Sequence, residues 1–409
     1  MQLIGSAERP LVIGTRSSKL ALTQTKQVAA DLEQRGLKVE IKTFTTEGDT
    51  NRASLSSLGG SGVFAAALRV ALLESRCDLI VHSLKDLPTL PVPGLTVAAI
   101  PPREDPADVL VARDGLTLAD LPPGSRVGTG SPRRARQVAL ARPDLDLVDI
   151  RGNVPTRLGR VKGLGERATQ MGLDQGKAKE DLDGVILARA GLRRLGVEAV
   201  ATDTLSEVVL PAGGQGALAL ECVAETLERD EARILAQTLR IVDDEPSRLE
   251  VSAERALLRY LEAGCAAPLG VRAKLTWGNA HPETPAGRLD LTARVVGDAG
   301  QTVEVSGETT VLLGAARDQR EFALAAAEQL GVDLAQEMLE QGAGEIVDLK
   351  ASKSGAPGQA GETSANREQS PTSLAESATP ASPLLNPNEN KENNENPAAE
   401  RVAKDLWGE

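Results

Sequence analysis

The sequence predicts an α/β protein: two α/β units in succession, then a small α+β domain, then a disordered tail. Three observations carry this. Over the first 100 residues short apolar strands alternate with helical stretches, the rhythm of βαβ units, which implies a parallel sheet with sites at the carboxyl ends of its strands. The same rhythm restarts at residue 104 and runs to about 203. From about residue 351 the chain turns to Ser, Pro, Asn, Glu and Ala without apolar periodicity, and such a segment buries too little surface to offset chain entropy.

Each element has its own warrant. "PLVIGT" reads as a strand, and Ser17 or Ser18 is placed to cap a helix through "KLALTQTKQVAADLEQRG", which Gly36 ends. "LKVEIKTF" alternates strictly, the mark of a half-buried strand. "GVFAAALRVALLESR" is a helix, followed by the strand of "CDLIVHSLKDLP" and the strand "GLTVAAI". In the second unit "SRVGTG" leads into a helix where Ser131 is the N-cap and Pro132 takes the first helical position. "LDLVDIRGN" is a strand running into a polar loop, and "DGVILARAGLRRLG" is strand, loop and helix; residues 161–182 between them are polar and Gly-containing and read as a surface insertion. A third unit begins near 225 with the helix "SRLEVSAERALLRYLE", three hairpin-like strands and the helix "REFALAAAEQLGVDLAQEMLEQG", a small α+β domain.

Composition narrows the function. Three Phe, two Trp and one Tyr in 409 residues leave no aromatic platform for stacking bases, and a net charge of -12 argues against nucleic acid as the main partner. Cys77, Cys222 and Cys265 form neither a disulfide framework nor a CxxC metal pattern, and only His82 and His281 stand beside them, so no metal site is expected. The N-terminal stretch has no signal-peptide core and no apolar run reaches membrane-spanning length, so a cytoplasmic protein without membrane contact is expected.

The positive signal lies in arginine. Between residues 101 and 160 there are ten Arg and no Lys. Arg133 and Arg134 open a helix, and Arg151 and Arg157 bracket "GNVPT"; guanidinium forks at strand ends and helix N-termini suit carboxylates or phosphates. Arg16, with Ser17 and Ser18, sits in the corresponding place of the first unit, so a polyanion between the two units would meet cations from both sides. In "HSLKDLP", His82 and Ser83 point to opposite faces of a strand and form no nucleophile–base pair; His82 reads as packed and hydrogen-bonded. Lys85 is open to two readings, a Schiff-base lysine or a carboxylate-binding cation, with the Arg-rich surroundings favouring the second. Asp86 beside such cations stays ionised, suited to a cationic intermediate or an N–H donor. "PAGGQGAL" is a Gly-rich turn that brings backbone N–H groups near an anion, and Cys265 sits in the Gly-flanked loop "LEAGCAAPLG".

Taken together, "IGTRSSKLAL", "GVFAAALRVALLESRCDLIVHSLKDLP", "REDPADVL", "VGTGSPRRARQ", "IRGNVPTRL", "LARAGLRRLG", "LPAGGQGAL" and "SAERALLRYLEAGCAAPLG", in this order, resemble the porphobilinogen deaminase (hydroxymethylbilane synthase) family over roughly residues 10–345. The resemblance implies two lobes like periplasmic binding proteins, residues 10–103 with 204–222 and residues 104–203, a third domain over 223–349, and a tail over 350–409. It implies a transferase that condenses four porphobilinogen molecules head to tail into hydroxymethylbilane with loss of ammonia, a step of tetrapyrrole and haem biosynthesis. The growing oligopyrrole chain would be carried on a dipyrromethane cofactor bonded through a thioether to Cys265. Asp86 would hydrogen-bond pyrrole N–H groups and stabilise the cation formed when ammonia leaves. Arg16, Ser18, Lys85, Thr129, Ser131, Arg133, Arg134, Arg151, Arg157 and Gln215 would bind the acetate and propionate groups. A monomer is expected. The sequence departs from many family members at Ser57 and Ser61, where Lys is common, and at Ala67, where an acidic residue is common. The rival readings are a non-catalytic two-lobed binder of small carboxylates and a Schiff-base lyase using Lys85.

Overall fold

The computed structural model describes residues 2–44, 62–164, 179–264, 267–277, 286–312 and 317–350. The expected tail, Cys265, His281, Ser57 and Ser61 lie outside the described residues. The first lobe begins with β1 (Leu11–Arg16), α1 (Lys19–Gln34), β2 (Val39–Phe44), α2 (Gly62–Leu73), β3 (Leu79–Ser83) and β4 (Leu95–Ala99). Ser18 caps α1, its hydroxyl accepting from the Ala21 N–H at 3.3 Å. The chain then crosses into a second lobe of β5 (Asp108–Ala112), β6 (Arg126–Gly128), α3 (Pro132–Ala141), β7 (Asp146–Val148), α4 (Val154–Leu158), β8 (Gly184–Ala188), α5 (Arg189–Arg194) and β9 (Asp203–Thr204). It returns to the first lobe as β10 (Leu218–Val223) and α6 (Arg233–Val242).

The two sheets have the same plan. Their strand orders are β2-β1-β3-β10-β4 and β7-β6-β8-β5-β9. Four of the five strands in each sheet run one way, the first three in the order pairing in parallel, and the fourth in the order is antiparallel to both neighbours. The parallel sheets expected from the βαβ rhythm are therefore mixed, because each lobe takes its antiparallel strand directly from a crossing segment. β10 enters lobe 1 after the second crossing, and β5 enters lobe 2 after the first.

Three boundaries differ from expectation. Leu205 and Val209 pack in the core of lobe 2, so the return begins after Leu210 and not at 204. α6 packs its Leu235, Leu239 and Val242 against Leu11 and Ile13 of lobe 1, so residues 223–242 are not part of the third domain. The ends of the expected surface insertion are core: Val161 and Leu182 are fully buried and bridge each other. Residues 165–178 lie outside the described residues.

The third domain starts at α7 (Glu245–Tyr260), which Asp244 caps, and continues through the antiparallel strands β11 (Leu269–Trp277), β12 (Ala286–Val296) and β13 (Thr302–Leu312) to α8 (Arg317–Glu340) and α9 (Ala343–Ile346). One face of its sheet packs under α7 and α8 around Leu257, Leu291, Ala327 and Met338, an aliphatic core that needs no aromatic residue. The two crossing segments touch: the Glu104 N–H donates to the Gly216 carbonyl at 3.2 Å. Gly216 has φ +89°, and a Cβ there would lie 2.1 Å from the Glu104 carbonyl oxygen, so the approach requires glycine. Both crossings are bound to α7 by Arg103, whose fork meets Glu254 at 2.8 and 2.9 Å while its Nε donates to the Gln215 carbonyl at 2.9 Å.

Candidate active site

β3 ends in a single 3₁₀ turn, Leu84–Asp86, that sorts its side chains by chemistry. Leu84 is buried, and its N–H donates to the Ala217 carbonyl at 3.0 Å, pinning the turn to the start of β10. Lys85 is half-buried, and Asp86 is exposed on the wall of a cavity of about 640 Å³. His82 turns into the lobe, as its strand parity requires: its Nε2 lies 3.1 Å from Glu221, which Arg69 also grips at 2.8 to 3.1 Å. Burial raises the Glu221 pKa, but the bonds from His82 and Arg69 outweigh it and hold the group at about 2. His82 is thus a core residue.

Lobe 2 supplies the opposite wall. β6 leads through Thr129, whose hydroxyl accepts from the Ser131 N–H at 3.3 Å, into α3. Ser131, Arg133 and Arg134 line the cavity. The two arginines are only 4 and 5% exposed, and neither is a free fork. Arg133 donates to Asp108 at 2.7 Å and Arg134 donates to it at 2.6 and 3.0 Å. Burial opposes the charge on Asp108, yet the two guanidiniums keep its carboxyl well below the usual range. Asp108 also accepts from the Gln215 Nε2 at 2.8 Å, and Gln215 in turn accepts from the Lys85 Nζ at 3.2 Å. One carboxylate therefore organises three cations, and the cluster keeps net positive charge toward the cavity. Lys85 shows the strain of that crowding: burial first, then Arg134 and Arg133, lower its pKa to about 8 against the pull of Asp86 and Asp108.

Arg157 completes this wall, its Nε donating to the Gly152 carbonyl at 2.8 Å. Burial and the neighbouring Arg134 and Arg151 lower its pKa to about 10, with Asp149 and Asp86 resisting. A smaller cavity of about 100 Å³ between the lobes shares Lys85, Arg134, Arg157 and Gln215. Arg16, Ser18, Thr129 and Arg151 line neither cavity. Arg151 is half exposed and pairs with Asp149 at 3.3 Å. The structure therefore gathers Asp86, Lys85, Ser131, Arg133, Arg134, Arg157 and Gln215 and leaves those four outside.

The third domain closes the large cavity with Arg255, Arg259, Glu262, Ala263, Gly264, Ala267 and Leu269, on both sides of Cys265 in the chain. Glu262 adopts φ +50°, and the Gly264 N–H donates to the Leu349 carbonyl at 3.0 Å. The other two thiols are unsuited to reaction. Cys77 and Cys222 are buried, and burial pushes them up to about 11 and about 12, where little thiolate forms. Asp108 and Arg255 escaped the sequence reading. A lone Asp opening the apolar run "DVLVA" next to an arginine-rich unit was a signal for the first; Arg255 looks like a surface charge on an amphipathic helix, and nothing local marks it.

A cation-lined cavity with the exposed carboxylate of Asp86 on its lobe 1 wall suits a polycarboxylate ligand that passes through a cationic state. The model for "Porphobilinogen deaminase, dipyromethane cofactor binding domain" matches residues 11–231, and that for "Porphobilinogen deaminase, C-terminal domain" matches 248–340. The chain belongs to the porphobilinogen deaminase family. A porphobilinogen deaminase of Cutibacterium acnes is 52% identical over 84% of this chain and 98% of its own. One from Micrococcus luteus is 48% identical over 82% of this chain and 93% of its own. The dipyrromethane cofactor of the family fits what is present: cations for its carboxylates, Asp86 for its pyrrole N–H groups, and a cavity bordered by both flanks of Cys265. Like its family, the chain is a transferase. Among the described residues no helix is long and apolar enough to cross a membrane.

Proposed function

We propose that this chain is a cytoplasmic, monomeric hydroxymethylbilane synthase, with Asp86 as its catalytic carboxylate and Cys265 as the attachment point of the dipyrromethane. The observation that carries the reading is that Asp86, the cation cluster around Asp108 and both flanks of the Cys265 loop line one cavity. When bound, the dipyrromethane supplies the nucleophilic pyrrole end from which the chain grows.

The residues then divide the work. Lys85, Arg133, Arg134 and Arg157 hold the acetate and propionate groups of porphobilinogen, with Ser131 donating beside them. Arg16, Ser18, Thr129 and Arg151 serve the same class of groups only as the chain outgrows the cavity. Asp86 accepts from the pyrrole N–H. As the aminomethyl C–N bond breaks, its electron pair leaves with nitrogen as ammonia, and positive charge spreads over the substrate ring. The fixed negative charge of Asp86 stabilises that cation without reorganising. The aminomethyl group is an ammonium at neutral pH and departs as neutral ammonia with no further proton, so Asp86 acts there as the ionised carboxylate and then stands where the ring-carbon proton is taken after C–C bond formation. A carboxylate exposed in a cavity fits that transfer.

Intact mass of the protein made in a tetrapyrrole-producing cell should exceed the sequence mass by two pyrrole units. Cys265→Ser should return to the unmodified mass. A wild-type chain without the added mass would remove this reading and leave a carboxylate binder.

A further inference from the structure

We propose that Arg255 is a positioning residue for Asp86, locking the carboxylate to the helix that leads into the Cys265 loop. The inference rests on the reading of Asp86 above and concerns a residue outside it.

Arg255 projects from α7 of the third domain into lobe 1. Its Nη1 donates to the Leu87 carbonyl at 2.9 Å and reaches the Leu84 carbonyl at 3.5 Å, while its Nη2 donates to the Pro88 carbonyl at 2.7 Å. These carbonyls bracket Asp86 on both sides. The turn's own bond, Leu87 N–H to Leu84 carbonyl at 3.0 Å, and the anchor of Leu84 on Ala217 fix the remaining backbone. Asp86 is therefore held from behind while its carboxylate faces the cavity.

The choice of arginine is informative. Among the described residues no Asp or Glu forms an ion pair with Arg255; burial first, then Arg259 and Arg69, lower its pKa to about 10 against the pull of Glu221. A half-buried guanidinium whose fork goes to backbone carbonyls, with no carboxylate of the described residues at ion-pair distance, serves the backbone it meets. A planar fork donates along two directions at once and fixes the peptide planes it meets; an ammonium has no such plane. Its neighbour Glu254 accepts from the Gly214 N–H at 2.7 Å, so one helical turn sets both the Asp86 loop and the Gly-rich turn presenting Gln215. Two turns further along, the same stretch of chain becomes Glu262, Ala263 and Gly264 at the cavity wall. Through this helix Asp86 and the Glu262–Gly264 segment that precedes Cys265 in the chain keep one spacing.

The test compares Arg255→Gln and Arg255→Lys in the full chain carrying its cofactor, alone and combined with Asp86→Glu. Arg255→Gln should still gain the two-pyrrole mass, while kcat falls about a hundredfold, the loss expected of a small misplacement, and KM moves less than about threefold. Arg255→Lys should recover part of kcat. In the Asp86→Glu background, Arg255→Gln should cost little more, since the carboxylate is already displaced. A wild-type kcat, a change confined to KM, or full additivity with Asp86→Glu would overturn the assignment. So would failure of both variants to fold, which would make Arg255 a structural clasp. Loss of the added mass in the wild type would instead strike the underlying reading.

Discussion

The two lobes place a buried carboxylate on the same strand of the same sheet and use it for opposite ends. In lobe 1 it is Glu221 on β10; in lobe 2 it is Asp108 on β5, and each is the antiparallel fourth strand of its sheet. Glu221 is closed off, its oxygens taken by Arg69 and His82 in the interior. Asp108 sits at the mouth of its strand, and its partners Arg133, Arg134 and, through Gln215, Lys85 all border a cavity. A buried ion pair is weak evidence for stability by itself. The Asp108 cluster fixes positive charge at a cavity wall, and the Glu221–Arg69 pair ties a sheet to a helix in the interior of lobe 1.

The comparison has a control in Asp86, which is exposed and among the described residues makes no side-chain hydrogen bond or ion pair. Asp86→Ala should leave the thermal midpoint nearly unchanged and reduce turnover by at least about a hundredfold, the scale of losing fixed charge at a developing one. Asp86→Glu should also be slow, because the carboxylate moves by a methylene. Near-normal turnover of Asp86→Ala, measured on protein that carries the cofactor, would end the mechanism.

The next effect separates the lobes directly. Asp108→Asn and Glu221→Gln should each cost roughly 3–5 kcal/mol in denaturant unfolding, since each strands buried cations. Only Asp108→Asn should also raise KM, by releasing Arg133 and Arg134 from their geometry. Equal effects on KM would erase the distinction. Acid should find Glu221 as well. Its folded pKa of about 2 lies below its ordinary 4.5, so its contribution is fully present above 4.5 and lost as pH falls toward 2. Glu221→Gln should lack that part of the acid transition.

A smaller effect follows from Lys85. With its pKa lowered to about 8, it is charged below that pH and loses its proton above it. A bound carboxylate favours the charged form, so binding takes up protons near pH 8 and KM should rise several-fold on the alkaline side. Lys85→Arg should flatten the rise, as guanidinium keeps its proton there. Smallest of all, Gln215→Leu breaks the link between Lys85 and Asp108 and should raise KM about threefold to tenfold, the range of one or two hydrogen bonds.

Much of this was legible because it is written in local pattern. The strands of both lobes, the Ser18 cap, Pro132 at the start of α3 and the hairpins of the third domain follow from periodicity and capping chemistry. His82 was legible as a packed residue from its apolar strand, and strand parity excluded a pair with Ser83. The antiparallel course of β5 and β10 was not legible, since direction depends on where a chain re-enters a sheet and not on its residues. Of the arginine set, the structure brings Arg133, Arg134 and Arg157 to one cavity and leaves Arg16 and Arg151 off its wall. Counting Arg133 and Arg134 as forks for a ligand overlooked Asp108, about 25 residues earlier, which claims both. Arg255 was illegible for a related reason: its partners are backbone carbonyls of Leu84, Leu87 and Pro88, and carbonyls have no sequence signature.

The shared plan of the sheets also has a consequence for synthesis. Lobe 2 is one uninterrupted stretch from β5 to β9, whereas β3 of lobe 1 waits for β10, some 135 residues later. At about 5–20 residues per second on the ribosome, that edge stays open for roughly 7–27 s. During that interval the emerging chain presents an unpaired apolar strand edge, the feature that invites association with other chains. The inserted lobe is therefore fully synthesised before lobe 1 is, and the turn bearing Asp86 acquires its Ala217 anchor only when the return strand arrives.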